Sequence, residues 1–152
     1  MKHRLFIFLL TVFAAVSVSA QMSKTVQWRL TVKMTKASEG IATLKGSIEP
    51  GWHMYDTKAV KGGPQPTVID FNESTGVKLN GKAVPSPAPV HGYDKLFEKS
   101  LSWWEGQVVF RQKFKVTDYG KATIKCTVRY TTCNNERCSM PVTETLSKPV
   151  KK

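Results

Sequence analysis

Acidic residues are scarce in this chain: 11 Asp and Glu stand against 23 Lys and Arg, for a formal charge of +12 over 152 residues. Such a balance suits nucleic acid, anionic lipid or an acidic protein. The lysines, however, are dispersed through alternating segments. No Gly-rich phosphate loop, helix-turn-helix or basic–aromatic ladder accompanies them, so they read as solvated faces and no nucleic-acid partner is expected. Cysteine is also rare, with three in all. A second close pair that would complete a cysteine-rich zinc site is missing, as is the Cys–Trp–Cys spacing of true immunoglobulin domains. Helical periodicity, internal repeats and low-complexity tracts are absent too, which excludes bundles, solenoids and disordered linkers.

Only one stretch is continuously apolar, Leu5 to Val16 with Thr11 inside it, and it is too short to cross a bilayer comfortably. Lys2, His3 and Arg4 precede it, and Val18-Ser19-Ala20 follows with small residues. The pattern predicts a secretory signal over residues 1–20, cleaved after Ala20. No cysteine sits at that cleavage site, so neither a lipid anchor nor stable membrane insertion is expected. Residues 21–152 are then one exported domain, large enough to bury a core without disulfides. The expected location is periplasmic, and nothing in the pattern demands more than a monomer.

What fills that domain is period-two alternation. Val26, Trp28, Leu30, Val32 and Met34 alternate with polar residues, as do Ala42, Leu44, Gly46 and Ile48. Val108, Phe110, Gln112, Phe114 and Val116 repeat the pattern, and Ala122 to Thr132 and Thr143 to Val150 read as further strands. Shorter candidates are Val68 to Phe71 and Val77 to Leu79, the latter ended by Asn80-Gly81. Turn signals recur at the spacing of an antiparallel sandwich, so the predicted fold is all-β, an immunoglobulin-like antiparallel β-sandwich in a single domain. Pro85 to Lys99 is read as one long connection. It carries His91, Tyr93, Asp94, Leu96 and Phe97 without alternation, which suits either a binding loop or a plug over the edge of the core.

Cys133 and Cys138 lie five positions apart, at the end of a strand-like run. Closing so short a loop removes little entropy from the unfolded chain, so a bond there adds only modest stability. In an oxidising compartment the pair reads better as a switchable dithiol than as a staple. Arg137 would favour a thiolate at Cys138 and Glu136 would oppose it; Pro141 restricts the outgoing backbone. Cys126 shares a strand face with Ile124, Val128 and Tyr130 and is expected to be a small buried hydrophobe. Two other readings stay open. One is a permanent hairpin clip in a non-catalytic exported binding module. The other is a metal site joining Cys133 and Cys138 with His53 or His91. Of Trp103-Trp104, one should enter the core and the other cover a sheet edge, because neighbouring strand residues face opposite ways.

The segment from Tyr130 to Pro141, Tyr-Thr-Thr-Cys-Asn-Asn-Glu-Arg-Cys-Ser-Met-Pro, resembles the active-site hairpin of the N-terminal periplasmic domain of the DsbD thiol:disulfide interchange protein. This family is also known as the disulfide bond corrector domain. Gly51-Trp52-His53-Met54-Tyr55 is similar to the family's aromatic segment, and Asp94 to Ser100 to its cap loop. The resemblance implies thiol–disulfide exchange without metal or cofactor. Cys138 would be the attacking thiol and Cys133 the resolving one. Phe97, or Leu96 in a register one residue shorter, would shield the disulfide. Asp94 and Tyr55 would belong to the surrounding shell, with Trp52 and His53 as neighbours. It also implies a thioredoxin-like donor protein and periplasmic disulfide-containing acceptors as partners. Departures are a loop one residue shorter than in the best-known member and Ser139-Met140 before Pro141. No transmembrane block or thioredoxin-like Cys-x-x-Cys follows Lys152, so a stand-alone shuttle with a separate donor is expected.

Overall fold

A computed structural model describes residues 24–152, and the expected signal segment, residues 1–20, lies outside the described residues. The described chain is built from strands, with no helix among them: β1 (Val26–Met34), β2 (Glu39–Ile48), β3 (His53–Tyr55), β4 (Val68–Asp70), β5 (Val77–Ser86), β6 (Val90–Asp94), β7 (Lys99–Glu105), β8 (Gln107–Val116), β9 (Thr123–Tyr130), β10 (Thr132–Cys133) and β11 (Val142–Pro149). They form an immunoglobulin-like antiparallel sandwich of three sheets, ordered β1-β2-β8-β5, β10-β3-β7-β6 and β11-β9-β4.

Alternation positions the core. Along β8, Val108, Phe110, Gln112, Phe114 and Val116 turn inward while Arg111, Lys113 and Lys115 turn out. Inward residues of β1, β2, β3, β7, β8 and β9 meet in one apolar cluster that includes Trp104, Phe110, Phe114, Leu44 and Tyr130. Each large side chain so buried stabilises the fold by about 1.5–3 kcal/mol. Gln112, the polar exception, donates from Nε2 to the carbonyls of Lys113 (2.9 Å), Gly81 (3.1 Å) and Asn80 (3.3 Å) and so enters the core without an unmade bond.

Two connections differ from the sequence reading. Asn80-Gly81 does not end β5; it forms a register shift between Asn80 and Val84, after which pairing with β8 resumes. Gly81 takes φ 69°, which suits an irregularity that an ordinary residue resists. The stretch from Pro85 to Lys99 is not a long loop but contributes the end of β5 and all of β6, which pairs with β7 from Val90↔Trp103 to Asp94↔Lys99. At the edge of its sheet, β6 exposes Val90, His91 and Tyr93. A strand exposed on both faces has no reason to alternate, which is why it read as a loop.

Only Thr131 separates β9 from β10, so one nearly continuous run passes from the β11-β9-β4 sheet into the β10-β3-β7-β6 sheet. That passage carries the cysteine pair to the end of the second sheet, beside the tip of the β6–β7 hairpin.

Candidate functional site: a capped disulfide hairpin

Cys133 is the last residue of β10, in register with His53 of β3, and Cys138 returns opposite it as an isolated bridge pair. The two are joined as a disulfide with their Cα atoms 3.9 Å apart. Asn134 shapes the turn between them. Its Oδ1 accepts the N–H groups of Glu136 (2.9 Å) and Arg137 (2.8 Å), and its own N–H donates to the Arg137 carbonyl at 2.9 Å. Asparagine is suited to this because its short side chain can replace a backbone acceptor in a tight turn. Ser139 ties down the outgoing strand by donating its N–H to the Thr132 carbonyl (2.7 Å) and accepting the Thr132 N–H at Oγ (3.2 Å).

The two cysteines are not equivalent. Cys133 is 0% exposed, whereas Cys138, on the outer arm of the turn, is exposed. Cys133 belongs to a small apolar cluster with Tyr55 and Leu101, against which Phe97 and Trp103 pack. This cluster is separate from the main core.

A turn over Lys95–Glu98, at the tip of the β6–β7 hairpin, brings Phe97 against the cluster that holds Cys133. Asp94 builds the turn from within. Its Oδ1 accepts the backbone N–H of Leu96 (2.8 Å) and Phe97 (3.0 Å), and its Oδ2 accepts the Tyr55 hydroxyl at 2.6 Å. Glu98 closes the turn at φ 51°, a left-handed conformation that costs a residue with a side chain. Phe97 then meets the Tyr55 ring edge-on, with centroids 5.7 Å apart. Leu96, by contrast, is 41% exposed.

His53 completes the polar side of the site. Its Nε2 lies 3.1 Å from the Tyr55 hydroxyl and 3.6 Å from Asp94 Oδ2, and its ring packs against Trp103 at 5.3 Å. Burial lowers the His53 pKa despite the pull of Asp94 and Glu105 in the other direction. Burial likewise raises the Tyr55 hydroxyl, reinforced by its bond to Asp94. Asp94 goes the other way: burial raises it, but the bonds from Tyr55, Phe97 and Leu96 and the neighbouring His53 together hold it below its ordinary value. At neutral pH the site thus presents a carboxylate, a neutral phenol and a neutral imidazole beside the disulfide.

Of the residues singled out from sequence, Cys133, Cys138, Asp94, Tyr55, Phe97 and His53 are brought together. Trp52 is not: it packs against the main core. Trp104 enters the core, its Nε1 donating to the Pro87 carbonyl at 2.9 Å, but Trp103 lies on the site and not merely over a sheet edge. Gly92 makes room for it, since a Cβ there would come within 2.6 Å of the Trp103 ring. The role of Trp103 and Leu101 was missed; the signal available was parity, because both alternate with Trp104 along β7. Cys126 is free and buried in the main core, and burial with nearby Asp70 pushes its thiol up to about 12. His91 sits on the exposed edge strand with Nδ1 2.7 Å from Ser102 Oγ. Among the described residues no three His, Cys, Asp or Glu side chains are grouped to hold a metal ion. A groove of about 310 Å³ separates cap from hairpin, lined by His53, Asp94, Leu96, Trp103 and Asn134 among others.

The class this defines is a β-sandwich with a disulfide at a hairpin tip, one cysteine buried and the other exposed. Residues 14–149 match the family model of the N-terminal domain of the thiol:disulfide interchange protein DsbD, and the chain belongs to that family. The N-terminal periplasmic domain of ScsB from Proteus mirabilis superposes with a TM-score of 0.60 at 18% identity over 82% of this chain; the chain spans 46% of that protein's solved length. The reduced N-terminal domain of DsbD from Neisseria meningitidis gives 0.50 at 15% identity, covering 82% of this chain and 86% of that one. The yeast GGA1 GAE domain also gives 0.50, at 9% identity over 86% of this chain and 96% of that one. At these identities the structural likenesses show the fold alone, and fold by itself does not define chemistry. A search of curated proteins returns no significant match.

Proposed function

We propose that this chain is a periplasmic thiol–disulfide exchange protein that shuttles reducing equivalents from a thioredoxin-like or membrane-linked donor to disulfide-containing acceptors. In the reduced protein the Cys138 thiolate attacks an acceptor disulfide. A bond forms between Cys138 and one acceptor sulfur, and the other leaves as a thiolate. Cys133 then attacks the Cys138 sulfur, forming the 133–138 disulfide and releasing the second acceptor thiolate. Two electrons and, after protonation, two protons have passed to the acceptor. The donor restores the dithiol by the reverse sequence. Phe97 acts as the cap that a docking partner displaces, while Asp94 and Tyr55 hold the cap turn in place.

The observation that carries this reading is the unequal burial of the pair. An exposed Cys138 can be reached by a partner, and a sealed Cys133 can be reached only from Cys138. Among the described residues no helix is long and apolar enough to cross a membrane.

The test is equilibration of the protein in graded dithiol buffers, followed by alkylation and mass spectrometry. The expected result is a reversible transition in the range of known oxidoreductases, with trapped adducts on Cys138 and stable mixed disulfides accumulating in Cys133→Ala. A pair that resists reduction until the protein unfolds would sink the proposal and leave a clipped binding module.

A further inference from the structure

The outer face of the β1-β2-β8-β5 sheet gathers cations that the sequence spreads over four separate strands. On β8, Arg111, Lys113 and Lys115 all point outward and are exposed. Register brings the neighbouring strands' outward residues alongside them. Lys115 stands opposite Lys78 of β5, and Lys113 stands opposite Ile41, which is opposite Lys33 of β1. One end of the sheet sets Arg29 opposite Lys45. Among the described residues none of these side chains joins a salt bridge. The acid within this set is Glu39, opposite Lys115, and its carboxylate is taken by Lys36 at 3.1 Å.

Like charges set directly opposite each other destabilise a sheet. Folding alone therefore gives no reason for Lys78 and Lys115, or Arg29 and Lys45, to share a row. The remaining outward positions are mostly polar, Gln27, Thr31, Thr43, Ser47, Asn80, Ser86 and Gln107, with the aliphatic Ile41, Val84 and Val109 among them. No aromatic ring lies among them, so bases would find nothing to stack on, which argues against single-stranded nucleic acid. A protein partner fits poorly as well. The centres of protein interfaces are depleted in lysine and enriched in aromatics, the reverse of this face. A broad cationic face dotted with hydroxyls matches an array of phosphates. At the Lys78–Lys113–Lys115 end a groove of about 520 Å³, also lined by Thr35 and Glu39, leaves room between the ammonium groups for a headgroup.

We propose that this face docks the protein peripherally on a bilayer of anionic phospholipid. Attachment is electrostatic and reversible, with no side chain entering the hydrocarbon. It leaves the disulfide hairpin, which belongs to another sheet, free for protein partners.

The experiment is co-sedimentation of the protein with vesicles of phosphatidylglycerol mixed into phosphatidylcholine, against pure phosphatidylcholine vesicles. The pure vesicles also account for attachment through the apolar residues 5–16. Binding is expected only to the anionic vesicles and should fall steeply with added salt. The triple variant Arg111→Gln/Lys113→Gln/Lys115→Gln should weaken it by on the order of a hundredfold, from the usual contribution of each basic residue near an anionic surface. A control triple, Lys58→Gln/Lys61→Gln/Lys121→Gln, removes the same charge elsewhere and should stay within a fewfold of the parent. Circular dichroism reports whether each variant keeps the sandwich, and single substitutions at Lys113 and Lys115 give the same ranking if the triple does not fold. Equal losses in both triples would reduce the effect to net charge and overturn the proposal. So would absence of binding to the anionic vesicles, or capture by an acidic polypeptide or DNA in their place.

Discussion

The protein has two apolar clusters, and they do different jobs. The main core joins both layers through large, fully buried side chains such as Trp104, Phe110 and Phe114. The second consists of Tyr55, Leu101 and Cys133, with Phe97 and Trp103 only partly buried against it. Both contain a cysteine. In the core, Cys126 is a free thiol pushed up to about 12 and sealed from solvent. In the small cluster, Cys133 is just as buried but is joined to an exposed Cys138. On the proposed function, burial alone does not make a sulfur inert; what matters is whether its bonded neighbour reaches the surface. A small cluster closed by one turn can open at little cost, whereas the large core cannot.

The sharpest way to separate the two clusters is to cut one residue from each. Phe110→Ala should cost about 3–5 kcal/mol of unfolding free energy, as for other buried aromatics. Phe97→Ala should cost only about 1 kcal/mol, since its ring is partly exposed already. The second change should nevertheless speed reaction of the 133–138 disulfide with a small dithiol by roughly fivefold, the equivalent of that lost cap energy. Denaturant titration reads the first quantity and stopped-flow reduction of the native protein the second. Equal reduction rates with and without the Phe97 ring would remove the cap from the account.

The same contrast governs what could be read in advance. Main-core residues such as Leu30, Leu44, Phe110 and Val128 follow strict alternation, because a strand with one face buried repeats every second residue. The disulfide hairpin was legible from the spacing of Cys133 and Cys138 and from its likeness to a known family. The cap's placement was less so. Strand β6 is an edge strand with Val90 54% and Tyr93 65% exposed, so no pattern marked it, and Phe97 and Leu96 could not be ranked by period. Trp103 escaped because its parity with Leu101 says only that it faces away from Trp104, not whether that face is a site or a sheet edge. The basic face was hidden differently: alternation spaces Arg111, Lys113 and Lys115 two apart, and only the register adds Lys33 and Lys78 beside them.

Protonation tests the small cluster selectively. Asp94 titrates below its ordinary value in the folded protein, so its contribution is present above the ordinary carboxylate range and is lost as pH falls through the folded value. His53 is lowered from 6.5, so the unfolded chain takes its proton first and stability declines as pH drops from about that value. The denaturation midpoint of the parent should therefore fall from near pH 6.5 downward, and His53→Gln should remove that upper limb. Asp94→Asn should cost about 1 kcal/mol at neutral pH by exchanging charge-assisted bonds for neutral ones. It should leave the lower, acidic limb shallower, and unchanged limbs in both variants would detach these groups from the cap.

The smallest effect on the disulfide is expected at the other cysteine, and it closes the comparison. Cys126→Ala removes one sulfur atom from the packed core and should cost about 1 kcal/mol, in line with deleting a methyl-sized group. The reduction potential of the 133–138 pair and the rate of its exchange should not move. Cys126 pairs with Leu146 of β11 in register and shares its face of β9 with Ile124 and Val128, away from the hairpin tip at Cys133–Cys138. Alkylation of the native, fully reduced protein should label Cys138 first, Cys133 slowly, and Cys126 only after unfolding. A Cys126 that reacts at the rate of Cys133 would show that the large core opens as readily as the small one, and the division of labour between the two clusters would fail.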